Sequence, residues 1–502
     1  MADSGNPARA NFGLPSNHFL ALPPSFGQAS LSHPASDSLA PPTTTLASAD
    51  FDVDVRTGFL PGHPGIDRLP DEYALWEELL EQAKAGVVKI NGAHEEGGSG
   101  DRWRQTVKNM EVQILPQAHL TSQILQRASV TLAFLLHFYV HSHSGSTSDL
   151  AIPPSIAVPL DQVSNLLGLP PILTYATTVL YNVYPSDPTK AFHPTANPPN
   201  RVYHTFTGLP SEAHFYLVSS LVELHGVRAL TIMRSALDEA FVGDTLALRR
   251  IASSLRALAT VIDSLTSVMK QMRAGCDPAE FYWLIRPWFK GSDGDGPGGL
   301  GWLFQGVGED EDSEGERKIV SGPSAGQSSL VHALDIFLGV DHTPHKPTSS
   351  TTTSSSTVTS PPPPSGGDST FMQRMLQYMP GPHRTFLLHL QTSHPTVREL
   401  VVQNQSFDNG DLARSYDLAV VAMGKFRDYH MVIVTMYIIQ QARRPPPAHF
   451  FPQSLPATSE PEKVIDTEKE TEEPIRGTGG TALAQFLKTC KSRTVDALVG
   501  DS

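Results

Sequence analysis

The sequence predicts an all-α protein, and three observations predict it. Several long segments repeat apolar residues at spacings of three and four. Runs of alternating β-branched residues joined by hairpin turns are sparse. The stretches between the periodic segments are rich in Pro, Gly, Ser and Thr, which break regular structure.

In chain order, residues 1–50 have no hydrophobic period and read as a disordered tail. A helix is expected over Leu69–Ala85 and another over 117–140. Ser211 is placed to cap a helix carrying Phe215, Val218, Val222 and His225. The clearest helix is 244–273, where Leu248, Ile251, Leu255, Leu258, Ile262, Leu265 and Met269 form one stripe behind an Asp244 cap. Asp411 is expected to cap a last long helix that runs to Arg443 before Pro445. Of the 30 residues 341–370, 24 are Ser, Thr, Pro or Gly, so this segment reads as a flexible insert. Residues 445–476 read as an acidic, mobile loop, and the acidic run 309–316 reads the same way.

The net charge of −14 excludes the broad positive field that nucleic-acid binding needs, and it disfavours anionic membrane surfaces. Most of it is local. Residues 309–316 hold six acidic side chains and no basic one, and 459–474 hold seven against two. A core close to neutral is left. Two cysteines, Cys276 and Cys490, are too few for a disulfide framework, which suits a reducing compartment. The N-terminus lacks a secretory signal pattern, and the apolar run near Val130–Val140 is too short to span a bilayer. The expectation is a soluble, cytoplasmic protein.

Four segments carry candidate chemistry. His430 lies on one helix face with Met423, Phe426, Ile433, Val434 and Tyr437, and Arg427 sits one turn earlier. Such an imidazole is either a satisfied core histidine or an axial haem ligand, and spacing alone leaves both open. Arg427 is suited to a haem propionate or a buried carboxylate, and equally to an ordinary helix face. SGPSAGQSSLVHALDIFLGV (321–340) opens with small residues that permit close approach to a flat ligand; it lacks the lysine and spacing of a phosphate loop. Asp335 within it needs a partner if buried, and Arg427 would serve. In EFYWLIRPWFKG (280–291), Arg286 stands among aromatics just before Pro287, where a helix ends or kinks. It suits a carboxylate clamp or a stacked packing arginine. GTGGT (477–481) reads as a hinge or a plain linker end. His141, His143, His342 and His345 fall in Ser- or Pro-rich stretches and are expected to be solvated.

Together with PPILTYATTVLYN (170–182), FYLVSSLVE (215–223), MPGPHRTFL (379–387) and SYDLAVVAMGKFRDYHMVIVTMYI (415–438), these segments resemble indoleamine 2,3-dioxygenase, in a form like its fungal members. The resemblance spans most of 50–500. It implies a small helical domain, 51–208, and a large one, 209–502, enclosing haem b. It implies that His430 is the axial ligand. Arg427 and Asp335 would brace a propionate, and Ser324 and Ala325 would lie over the haem. Tyr175, Thr178 and Val179 would form the deep indole pocket, with Phe215 and Ser219 on the distal side. Phe281, Arg286 and Phe289 would form the mouth, Arg286 clamping the substrate carboxylate, and Thr478 would lie in a closing loop. Ser219 would act at most as a hydrogen-bonder. The implied reaction is cleavage of L-tryptophan by O2 to N-formylkynurenine, the first step of the kynurenine pathway toward NAD. An unidentified electron donor would keep the iron ferrous, and the chain would be monomeric. A haem-binding paralogue with weak turnover, acting as a sensor, is the alternative. Two positions depart from the family pattern: Thr178 replaces the cysteine of animal members, and Asp428 replaces a small polar residue.

Overall fold

The computed structural model describes residues 51–92, 98–143, 149–295, 299–308, 314–342, 370–450 and 483–500. The principal helices are α1 (Ala74–Gln82), α2 (Ser99–Asn109), α3 (Ser122–His141), α4 (Pro154–Leu167), α5 (Pro210–His225), α6 (Val227–Val242) and α7 (Thr245–Met269). They continue as α8 (Ser329–Phe337), α9 (Phe371–Leu376), α10 (Gly381–Thr392), α11 (Val397–Gln403), α12 (Asp411–Val434) and α13 (Leu483–Val495). The protein is all-α, as its apolar periodicity predicts. Among the described residues, two small sheets accompany the helices. β1 (Ala151–Ile152) pairs in parallel with β4 (Trp302–Gln305), which pairs antiparallel with β5 (Gly315–Lys318). β2 (Val183–Pro185) and β3 (Pro199–Val202) form an antiparallel pair. The acidic run is therefore not all loop. Its end, from Gly315, is strand β5; residues 309–313 lie outside the described residues, as do the tail, most of the insert, and 451–482.

Every apolar residue of the stripe expected in α7 is buried, and the Asp244 carboxylate accepts from the Ala247 amide at 2.7 Å. The other two expected caps are not caps. α12 is entered through a left-handed run of Asp408, Asn409 and Gly410, and Asp411 takes an ion pair with Arg256 of α7 at 2.9 Å. α5 starts at Pro210, whose fixed φ suits the first helical position. Ser211, one residue inside, instead accepts from the Asp277 amide and donates to Glu280. The expected 117–140 helix begins later, at Ser122, capped by Thr121.

α7 and α12 lie side by side and run in the same direction. Arg249 in the first turns of α7 meets Asp408 just before α12, Arg256 at mid-helix meets Asp411 and Ser415, and Lys270 at the end of α7 lies over Tyr429 late in α12. This pairing places His430 on the inner side of the bundle. α5–α6 and α7 are long and apolar enough to cross a membrane by length and composition, but 44% and 50% of their most apolar windows are buried inside the fold. That burial is what a core helix of a helical bundle requires. Cys276 and Cys490 are buried free thiols.

Candidate functional site

Two adjoining cavities meet at His430, of about 160 and 180 Å³. The first is lined by Tyr175, Thr178, Val179, Phe215, Ser219, Phe281, Arg286, Phe289, Ser324 and Ala325. The second shares Tyr175, Phe215, Ser219, Ala325 and His430 and adds Arg427, Val218, Val222 and Phe426. Residues as far apart in sequence as Tyr175 and His430 thus converge; of the site residues expected from the sequence, only Thr478 lies outside the described residues, and only Asp335 stands back from both chambers. 

The walls are aromatic. The Phe215 and Phe281 rings are 4.7 Å apart, Phe281 lies 5.8 Å from Tyr437, and Phe289 lies 6.3 Å from Phe215. Three of the elements that carry wall residues are π-helical turns: Ala176–Leu180, Phe281–Ile285 and Thr435–Ile439. Each inserts an extra residue per turn, which rotates side chains out of a normal helical register and into the cavity. At Phe281–Ile285 the π turn passes into a 3-10 turn, Arg286–Phe289, because Pro287 cannot continue the helical hydrogen bonding.

His430 is half-buried and faces both chambers. Burial first, and then the Arg427 cation, push its pKa down to about 4, so the imidazole is neutral at physiological pH. Among the described residues no hydrogen bond engages its ring. Arg427 is buried and doubly held: it donates to Asp335 at 2.6 Å and to Thr494 of α13. Burial alone would raise the Asp335 pKa, but Arg427 and His342 overcome it and hold the carboxylate at about 2. His342, expected to be solvated, lies 2.8 Å from this carboxylate. His141 is also buried, against the Lys290 carbonyl at 2.9 Å, and His143 is half-buried against Tyr139. Their stretch looks polar in sequence, but α3 runs as far as His141 and carries it into the core. His345 lies outside the described residues.

The cavity hydroxyls point their protons into backbone. Ser219 donates to the Phe215 carbonyl at 2.9 Å and Thr178 to the Thr174 carbonyl at 2.9 Å. Each keeps only lone pairs for the cavity. Ser324 accepts from the Gly326 amide, His332 lies 2.9 Å from the Gly326 carbonyl, and the Ser321 amide donates to the Tyr378 hydroxyl at 2.8 Å, so the small-residue loop is fixed at both ends. A Cβ at Gly322 would sit 1.8 Å from the Phe289 carbonyl oxygen, so this loop and the Arg286 turn touch backbone to backbone. Arg286 lines the first cavity with its guanidinium 5.5 Å over the Tyr282 ring, the stacked arrangement that is one of the two sequence readings of it. Burial lowers its pKa. Asp428 points outward and pairs with Lys491 of α13 at 2.6 Å.

Sequence reasoning missed a buried network behind Tyr175. Its hydroxyl donates to Glu223 at 3.0 Å, Ser328 donates to the same oxygen at 2.5 Å, and the Tyr175 amide donates to Gln327 at 2.8 Å. The second Glu223 oxygen has no partner among the described residues, and burial pushes the Glu223 pKa up to about 7. A signal existed: Phe215, Ser219 and Glu223 are spaced i, i+4, i+8 on one helix face.

The fold and site define an all-α enzyme built around an apolar chamber with one neutral imidazole at its head. Residues 47–497 match the family model described as indoleamine 2,3-dioxygenase. The chain is 32% identical to indoleamine 2,3-dioxygenase of Saccharomyces cerevisiae, covering 87% of this chain and 90% of the relative. It is 31% identical to indoleamine 2,3-dioxygenase qulI of Penicillium citrinum (90% and 89% covered) and 29% identical to indoleamine 2,3-dioxygenase 1 of Mus musculus (90% and 95%). The chain belongs to the indoleamine 2,3-dioxygenase family, and it is a dioxygenase.

Proposed function

We propose that this chain binds haem b through His430 and uses O2 to cleave the indole 2,3 bond of L-tryptophan, giving N-formylkynurenine. The observation that carries the proposal is His430 itself: a neutral, unengaged imidazole at the junction of two apolar chambers, with a buried Arg427 one turn away. That donor set fits haem. His430 would hold the iron, and Arg427, held by Asp335 and Thr494, would meet a propionate. Ser324, Ala325 and Gly326 supply a wall that a flat macrocycle can approach closely. When bound, the haem supplies the redox chemistry that activates O2.

The protein's own contribution is binding, orientation and dryness. Tyr175, Thr178 and Val179 form the deep end that would take the indole, and Phe215, Phe281 and Phe289 wall it from water. Arg286, a guanidinium that stays charged in proteins, would pair with the substrate carboxylate. Ser219 and Thr178 have no proton aimed at the chamber and so would only accept hydrogen bonds. The deep end comes from 51–208 and the remaining wall from 209–502, which supports a division into a small and a large helical domain with the site between them. A monomeric chain is part of the proposal. An external electron donor that keeps the iron ferrous and a cytoplasmic location complete the proposal.

The test is direct. Ferrous, haem-loaded protein with L-tryptophan and O2 should yield N-formylkynurenine, identified by mass. Full haem loading with negligible turnover at saturating tryptophan would reject the catalytic reading and favour a haem-binding sensor.

A further inference from the structure

Helix α3 touches neither chamber, yet its buried face reaches the backbone of two wall segments. His137 is fully buried. Its Nδ1 lies 2.6 Å from the Trp288 carbonyl, and its Nε2 accepts from the Leu173 amide at 3.3 Å. A carbonyl can only accept and an amide N–H can only donate, so the partners fix one tautomer: neutral, with the proton on Nδ1. Neither ring nitrogen is left over. Trp288 follows Arg286 by two residues, and Leu173 precedes Tyr175 by two. One turn along α3, His141 lies with Nε2 2.9 Å from the Lys290 carbonyl, next to Phe289. Phe138 packs on the Trp288 ring, 5.1 Å between centroids, and the His137 and His141 rings lie 5.3 Å apart.

We infer that His137 and His141 are positioning residues for the substrate: His137 ties the mouth turn to the indole-pocket segment, and His141 anchors the mouth turn alone. Neither contacts the chamber. Both act through main-chain carbonyls and an amide, which set where Arg286, Phe289 and Tyr175 point. The two histidines differ in reach, and that difference is what a merely structural role would not reproduce. Loosening the mouth alone displaces the Arg286 guanidinium and penalises a substrate with a carboxylate. Loosening both segments also displaces the indole site and penalises any indole substrate. Small displacements of such groups carry large rate effects. The inference rests on the reading of Arg286 as a carboxylate clamp.

The experiment uses full-length, haem-loaded protein carrying His141→Phe, His137→Leu or His137→Gln, assayed with L-tryptophan and with tryptamine, which lacks the carboxylate. Amide hydrogen exchange of Leu173 is followed in parallel. His141→Phe should raise KM for L-tryptophan roughly tenfold and leave tryptamine within about twofold. His137→Leu should lower kcat/KM for both substrates roughly tenfold or more and remove protection of the Leu173 amide. His137→Gln, whose amide offers one donor and one acceptor, should recover most of both. Unchanged Leu173 protection in His137→Leu overturns the inference. So do equal losses on both substrates in His141→Phe, and a His137→Gln variant no better than His137→Leu. Failure of the underlying reading is separate: Arg286→Ala in the otherwise unaltered chain would then harm tryptamine as much as L-tryptophan, while the exchange result would still report the tie.

Discussion

Glu223 makes the protein's stability fall as pH rises through neutrality. Its side chain is buried, one oxygen accepts from Tyr175 and Ser328, and the other has no partner among the described residues. Burial raises its pKa from 4.5 to about 7, against the opposing pull of those two hydrogen bonds. The folded state therefore holds a proton between those values that the unfolded state has lost. Stability from this group is complete below the unfolded value and declines as pH rises through the folded one. At about 1.4 kcal/mol per pH unit, the interval from 4.5 to about 7 is worth at most about 3.5 kcal/mol, of which about 3 falls between pH 4 and pH 8. Glu223→Gln removes the titration and keeps the shape. The amide's own hydrogen-bonding cost is a constant offset, so the quantity to follow is the stability difference between the two proteins against pH. Urea denaturation of both from pH 4 to pH 8 should show the wild type losing about 3 kcal/mol relative to Glu223→Gln. Parallel stabilities across that range would refute a buried carboxyl of raised pKa and the network geometry behind it.

Three further outcomes follow from the site. Asp335→Ala leaves the Arg427 cation buried without its carboxylate, so stability should fall by roughly 3–5 kcal/mol in denaturant titration. Because the Asp335 pKa is lowered to about 2, the stabilisation it gives is present above its unfolded value and should disappear from the wild type as pH falls from about 4 toward 2. Gly322→Ala forces a Cβ against the Phe289 carbonyl, an atom that backbone packing holds in place. Its effect should be a loss of L-tryptophan turnover of roughly tenfold or more, read from steady-state kinetics, because the Arg286 turn is displaced. Arg286→Ala should raise KM for L-tryptophan strongly and for tryptamine much less; equal effects would favour the Tyr282-stacking role alone.

What the sequence conveyed, and what it did not, divides by range. The face of α7 was legible because a helical stripe is a local pattern: Leu248 through Met269 are spaced by the helix itself and are all buried. The Asp244 cap was legible for the same reason. Asp411 and Ser211 carry the same local signal, but tertiary partners claim them: Arg256 takes one, and Asp277 with Glu280 takes the other. The pairing of Asp335 with Arg427 could be anticipated, since a buried carboxylate needs a cation. The π turns at 176–180, 281–285 and 435–439 could not, because their extra residue per turn leaves no compositional mark. Nor could the histidines at and just beyond the end of α3: His141 and His143 read as solvated beside Ser142 and Ser144, and only the fold brings the Lys290 carbonyl to His141.

The central claim is that His430 is the axial ligand of a tryptophan-cleaving haem. Its most direct test is His430→Gly, followed by Soret absorbance and by N-formylkynurenine formation from L-tryptophan and isotopically labelled O2. The glycine variant should lose haem retention and product. Imidazole added at millimolar levels should occupy the space vacated at the head of the chamber and recover part of both, with both labelled oxygens in the product. A His430→Gly protein that keeps full haem and full turnover without imidazole would contradict the account.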